Sequence, residues 1–166
     1  HRVHKITLVH NGIIENYLEL KKELINNNYK FISDTDTEVA CAYIDFLYNK
    51  YNDMYTCLEK IKDIFIGSYA LCILCDDNPN TLYVTKKGSP MIIGISNDGN
   101  IIASDISAIV NYTKEYIILE DNDIGIINKD KYIIYNNGNT INREILTFDK
   151  NIDSISKNGY DHYMLK

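Results

Sequence analysis

Residues 8–38, LVHNGIIENYLELKKELINNNYKFISDTDTE, decide how this chain is read. Ile6, Thr7, Leu8 and Val9 are apolar or β-branched and predict a buried strand. Asn11-Gly12 follows, and from Ile13 the period changes. Ile13, Tyr17, Leu20 and Leu24 fall on one face of a helix, with Glu15, Glu19, Lys22 and Glu23 on the other. Asn26-Asn27-Asn28 ends it, because Asn tolerates a left-handed C-terminal cap. Tyr29 to Ile32 reads as a short strand. Thr35-Asp36-Thr37-Glu38 fits a capping box, with Thr35 as N-cap and Glu38 reaching back. Val39, Tyr43, Ile44 and Leu47 give the helix that follows its apolar face. The two polar junctions, Asn11-Gly12 and Thr35-Asp36, fall at the ends of regular elements, where rigid scaffolds often carry binding and catalytic groups.

Downstream, Met54, Leu58, Ile61 and Phe65 align on a third helix over Asp53 to Ile64. From Ile66 the character changes to short β-type runs: Tyr69–Cys75, Thr81–Thr85, Met91–Ile95, Ile101–Ser104, Tyr116–Leu119, Ile124–Asn128, Lys131–Tyr135 and Arg143–Phe148. Turn signals separate them at Asn78-Pro79-Asn80, Asn97-Asp98-Gly99 and Asn136-Asn137-Gly138. Ser107 to Asn111 reads as one or two helical turns. Helices early and strands late predict an α+β fold with two mainly antiparallel sheets packed face to face, covered by helices. The domain spans residues 1–148. Residues 149–166 begin polar and irregular, as a linker would, and turn apolar at Tyr160-Asp161-His162-Tyr163-Met164-Leu165-Lys166.

At 166 residues the chain is about one domain long, and its 45% apolar and 24% charged content suits a globular protein. A formal charge of −6 with no basic stripe argues against nucleic acid. No apolar run approaches the ~20 residues that span a bilayer. His1-Arg2-Val3-His4 carries neither a signal-peptide core nor an initiator Met, so the expectation is a cytoplasmic fragment or processed product. Cys72 and Cys75 are three apart on an expected strand and so point to opposite faces. No second ligand pair accompanies them, and the four cysteines are read as reduced core residues, with no metal and no cofactor.

Taken alone, the candidate residues have ordinary explanations. Asn-Gly is the strongest short signal for a hairpin turn, but the helical period after Gly12 disfavours one here. The same pair at a strand end offers a side-chain amide and an unobstructed backbone N–H, the donors that a tetrahedral oxyanion requires. Asp36 at a helix start is favoured by the macrodipole with no function attached. His10 reads as a half-buried strand residue. Lys86-Lys87 reads as two solvated lysines at a turn, and Asn111-Tyr112-Thr113 as an unused glycosylation pattern.

Several stretches together resemble one family. Val9-His10-Asn11-Gly12-Ile13-Ile14-Glu15-Asn16-Tyr17 is followed by Ser33-Asp34-Thr35-Asp36-Thr37-Glu38-Val39 and Gly67-Ser68-Tyr69-Ala70-Leu71. Lys87-Gly88-Ser89-Pro90-Met91-Ile92-Ile93-Gly94, Ile102-Ala103-Ser104-Asp105 and residues 160–166 come next in order. This pattern is similar to the N-terminal class II glutaminase domain of the glutamine–fructose-6-phosphate aminotransferase (glucosamine-6-phosphate synthase) family. The resemblance implies an N-terminal-nucleophile hydrolase fold, an αββα sandwich. It also implies an enzyme that hydrolyses L-glutamine and passes ammonia to fructose 6-phosphate, yielding glucosamine 6-phosphate, and a homo-oligomer at full length.

In that family an N-terminal Cys attacks the glutamine amide. The resemblance assigns the Asn11 side chain and Gly12 N–H to the oxyanion hole and Asp36 to the glutamine α-ammonium. The family's N-terminal Cys and an Arg that holds the substrate carboxylate fall before His1, and the sugar isomerase domain falls after Lys166. The expectation is therefore a fold incomplete at its N-terminus, inactive as an isolated chain, with sheet edges open to self-association. The alternatives are another class II amidotransferase of the amidophosphoribosyltransferase type and a non-catalytic amino-acid-binding module.

Overall fold

Ile6, Leu8 and Ile14 are fully buried while Val9, Asn11 and Ile13 are exposed, so a period of two runs straight through Asn11-Gly12. In the computed structural model, which describes residues 1–148, this stretch is one nine-residue strand, β2 (Ile6–Ile14), preceded by the short β1 (Arg2–Val3). The expected end of the strand at Asn11-Gly12 and helix start at Ile13 are thus both displaced. The reason is β3 (Gly67–Cys75), which pairs antiparallel with all of β2, from Ile6 opposite Cys75 to Ile14 opposite Gly67. A partner over 50 residues away outweighs a helical period that Ile13 shared by coincidence.

Helix α1 begins only at Tyr17 and runs to Asn26 (Tyr17–Asn26), burying Leu20 and Leu24. Its end follows the Asn run as expected. Asn28 adopts φ +67°, the Tyr29 N–H bonds the Leu24 carbonyl at 3.0 Å, and the Asn28 N–H bonds that of Ile25 at 3.0 Å. This is a Schellman closure with Asn in the left-handed position. Residues 29–32 form no strand. They cross as irregular chain toward α2 (Asp36–Tyr51), tied there by Glu38.

Thr35 caps α2 by accepting from the Glu38 N–H at 3.3 Å. Glu38 reaches further back than a capping box requires. Its carboxylate accepts from the Ile32 N–H (2.9 Å), the Ser33 N–H (2.7 Å) and the Ser33 hydroxyl (2.6 Å). Burial pushes the Glu38 carboxyl up, but these three donors outweigh it and hold the group below its ordinary 4.5. A depressed folded-state value means stability that is fully present above the unfolded value and lost as pH falls through the folded one. Glu38→Gln is therefore expected to cost about 1–3 kcal/mol at neutral pH. Urea midpoints of the two proteins should converge as pH falls below 4.5. A gap independent of pH would contradict the role of the charge.

Helix α3 (Met54–Ile64) follows an Asp53 N-cap whose carboxylate accepts from the Thr56 N–H at 2.8 Å. The strands β4 (Leu82–Lys87), β8 (Ile124–Ile127), β9 (Tyr132–Asn136) and β10 (Asn139–Ile141) extend the first sheet. Its order is β1-β2-β3-β4-β8-β9-β10. A second sheet has the order β11-β7-β5-β6, built from β5 (Ile92–Ile95), β6 (Ile101–Ala103), β7 (Glu115–Ile118) and β11 (Leu146–Thr147). All the pairings in both sheets are antiparallel.

The three helices cover one face of the larger sheet through Ile6, Leu8, Leu24, Val39, Ile44 and Leu58. Ala70, Val84, Ile93, Ile117 and Ile134 fill the space between the sheets. Ile109 and Ile106, beside a short 3-10 turn (Ile106–Ala108), pack on the outer face of the smaller sheet. The α+β sandwich of two antiparallel sheets is as expected. Cys75 packs in the helix-side core, and Cys72 against the core between the sheets, as opposite faces require. Lys86 is not solvated. It is 8% exposed and ion-paired to Asp121, because β4 carries it into the space between the sheets. Among the described residues no helix is long and apolar enough to cross a membrane. The expected linker and the apolar stretch after it lie outside the described residues.

Candidate active site

Alternation along β2 sends its side chains two ways. Leu8 and Ile14 enter the helix-side core, as does the His10 side chain, 1% exposed. Val9 and Asn11 face the other way and line a cavity of about 290 Å³ with Ala70, Cys72, Met91 and Ile102. Asn11 is exposed there, and none of the side-chain hydrogen bonds among the described residues uses its amide.

Backbone N–H groups alternate similarly between the two edges of a strand. The Leu8 N–H bonds the His1 carbonyl at 2.8 Å and the Ile14 N–H bonds Asp36 Oδ2 at 2.9 Å. Both therefore point away from β3, and Gly12, two residues before Ile14, addresses the same open edge. Gly12 sits at φ +129°, and a Cβ there would lie 2.1 Å from the Ser68 carbonyl oxygen and 2.8 Å from Ser89 Oγ. Only glycine lets β2 approach β3 this closely with its amide turned outward. The wall behind it is braced by a 2.9 Å hydrogen bond between the Ser68 and Ser89 hydroxyls.

Asp36 is the first residue of α2, and its side chain is 21% exposed. One oxygen accepts from the Ile14 N–H. The Thr37 hydroxyl donates to the other at 3.4 Å. A carboxylate has about four acceptor positions, so two remain for a ligand. Asp36 thus meets the same strand edge two residues beyond Gly12, roughly 7 Å along it. That span suits a small molecule carrying a carbonyl at one end and an ammonium at the other.

The structure thus gathers Asn11, Gly12 and Asp36 around one end of β2. It adds partners that the sequence reading missed. Ile14 holds Asp36 through a backbone amide, for which no side-chain signal exists. Thr37 was read only as a helix-start residue, and His10 as half-buried. None of the cysteines offers an activated thiol among these groups. Burial pushes the thiols of Cys41 and Cys72 up to about 11 and that of Cys57 up to about 12, so the reactive thiolate is scarce at neutral pH. Cys75 is buried in the helix-side core.

Comparison with known proteins gives this arrangement a context. The family model described as "Glutamine amidotransferase domain" matches residues 1–111. The chain is 45% identical over 162 residues to the glutamine–fructose-6-phosphate aminotransferase of Caldanaerobacter subterraneus subsp. tengcongensis, covering 97% of this chain and 26% of that protein. It is 41% identical to the enzyme of the same name from Fusobacterium nucleatum, again over 97% of this chain and 26% of the relative. The chain therefore spans about a quarter of the length of these curated relatives. Among solved structures, glutamine phosphoribosylpyrophosphate amidotransferase from B. subtilis superposes with a TM-score of 0.67 at 25% identity, covering 79% of this chain and 29% of that one. The pattern of residues, the two-sheet sandwich and the matched family model agree, and the chain belongs to the glutamine amidotransferase domain family.

Proposed function

We propose that this chain is the glutamine-binding part of a glutaminase, in which Asn11 and Gly12 form the oxyanion hole and Asp36 holds the substrate's α-ammonium. The observation that carries the reading is the shared edge of β2. The outward amide at Gly12 and the Ile14 amide that anchors Asp36 lie two residues apart, and Asn11, the residue before Gly12, lines the adjoining cavity. A thiol adds to the carboxamide carbon of glutamine, and the oxygen that becomes negative accepts from Asn11 Nδ2 and the Gly12 N–H. Collapse expels ammonia and leaves a thioester, which water hydrolyses to glutamate.

The thiol is none of the four cysteines in this chain. The resemblance places it on an N-terminal cysteine. The relatives' names support fructose 6-phosphate as the acceptor of that ammonia, while glucosamine 6-phosphate as the product and a cytoplasmic homo-oligomer as the setting rest on the family resemblance alone. The phosphoribosylpyrophosphate alternative has the support of the superposed structure, but at 25% identity against 45%.

The test is ammonia release from L-glutamine by the natural full-length protein. Asp36→Asn removes the charge that meets the ammonium and is expected to raise KM for glutamine by roughly 10- to 100-fold, since hydrogen bonds to charged groups are worth ~1.5–3 kcal/mol. A folded full-length protein without glutaminase activity would sink the proposal and favour an amino-acid-binding module.

A further inference from the structure

We infer that His10 and Thr37 are positioning residues, a two-step relay from the core that fixes the Asp36 carboxylate for its ligand. The inference rests on the glutaminase reading above, and deepens it by assigning two residues that do not touch the substrate.

His10 Nδ1 lies 3.1 Å from Thr37 Oγ1, and Thr37 Oγ1 donates to Asp36 Oδ1 at 3.4 Å. The direct separation between His10 Nδ1 and Asp36 Oδ1 is 3.9 Å, too long for a hydrogen bond. The hydrogen-bond path from His10 to Asp36 therefore passes through Thr37. A hydroxyl has one proton to give. If Thr37 spends it on Asp36, it must accept from His10, so the ring carries its proton on Nδ1. That leaves Nε2 bare. It is buried and, among the described residues, has no hydrogen-bond partner. A buried bare ring nitrogen is the tolerable choice, because the opposite tautomer would strand an N–H there. Burial also pushes the His10 ring below its ordinary value, outweighing the opposing pull of Asp36, and favours the neutral form.

The ordinary explanation is that His10 merely fills the core. Phe or Leu would fill it without burying an unpaired polar atom, which carries a penalty. The cost is understandable when the other nitrogen is employed. With the relay in place, each Asp36 oxygen has its own fixed donor, Ile14 N–H on Oδ2 and Thr37 on Oδ1, and the carboxylate plane is set before the ligand arrives.

The experiment measures kcat and KM for glutamine, the inhibition constant of glutamate, and Tm, in the natural full-length protein. Thr37→Val should raise KM and the glutamate constant together by about tenfold, with kcat changed by less than about threefold. Thr37→Ser keeps the hydroxyl and should restore both to within about twofold of the unsubstituted protein. His10→Phe should match Thr37→Val, and His10→Asn, whose amide can replace the Nδ1 donor, should recover much of the loss. On an Asp36→Asn background, Thr37→Val should add less than about twofold, since residues acting through one group are not additive.

Unchanged KM in Thr37→Val, with Asp36→Asn still impaired, overturns the relay while leaving the glutaminase reading intact. So does a fall in Tm and kcat at constant KM, which is what a core-filling role predicts. If His10→Phe does not fold, the two Thr37 variants decide alone. If Asp36→Asn leaves KM unchanged, the assignment of Asp36 itself fails, and the relay fails with it.

Discussion

Replacing Asn11 with alanine is expected to lower kcat for ammonia release in the natural full-length protein by about two to three orders of magnitude, the ~2.7–4 kcal/mol that one oxyanion donor supplies. KM for glutamine should change little, because the donor acts on the charge that develops in the transition state, not on the resting amide. Stability should hardly move. Asn11 is exposed on the face of β2 that looks into the cavity, and none of the side-chain hydrogen bonds among the described residues uses its amide. Exposed substitutions of this kind are typically within ±0.5 kcal/mol. Steady-state kinetics and a thermal melt on the same preparation check both halves. A drop of less than about fivefold would remove Asn11 from the reaction centre.

Gly12→Ala should damage the protein in two ways at once, and this separates it from Asn11→Ala. The new methyl would sit 2.1 Å from a main-chain oxygen, that of Ser68, so no side-chain rotation can relieve it. Trimming Ser89, the other close neighbour at 2.8 Å, would not help. Holding an L-residue at φ +129° adds of the order of 1–3 kcal/mol of strain. Either β2 withdraws from β3 or its peptide plane flips, and each moves the Gly12 N–H off the open edge. The expected result is a loss of kcat at least as large as for Asn11→Ala, together with a fall in Tm of several degrees. Wild-type Tm in Gly12→Ala would mean that the strand absorbs the methyl elsewhere, contrary to the backbone contact seen here.

Two Asn-Gly pairs among the described residues show how far local chemistry carries. Asn137-Gly138 joins β9 to β10 with both residues at positive φ, +49° and +79°, a hairpin turn between Asn136 and Asn139. Asn11-Gly12 has the same composition but lies inside a strand, because β3 pairs with residues on both sides of it. The residues after Gly12 argued against a hairpin there, but by a helical period that the pairing with β3 overrides. The resemblance to a family supplied the proposed roles of Asn11, Gly12 and Asp36, but not the path by which they are held together. That path joins residues 22 apart at Ile14 and Asp36, and 27 apart at His10 and Thr37.

What the sequence determined alone was whatever depends on neighbours in the chain. Thr35 and Asp53 cap their helices through bonds to residues three further on. The Asn run closes α1 by its left-handed preference. The alternation of apolar runs after Ile66 predicts most of the strands, and with them two antiparallel sheets. Tertiary structure decided the rest. It extended β2 through a stretch whose spacing suggested helix, left residues 29–32 irregular, buried Lys86 beside Asp121, and turned His10 inward toward Thr37. Each of these outcomes depends on a partner brought close only by the folded chain, and pairing, burial and ion-pair energies at such distances leave no periodic trace in the residues themselves.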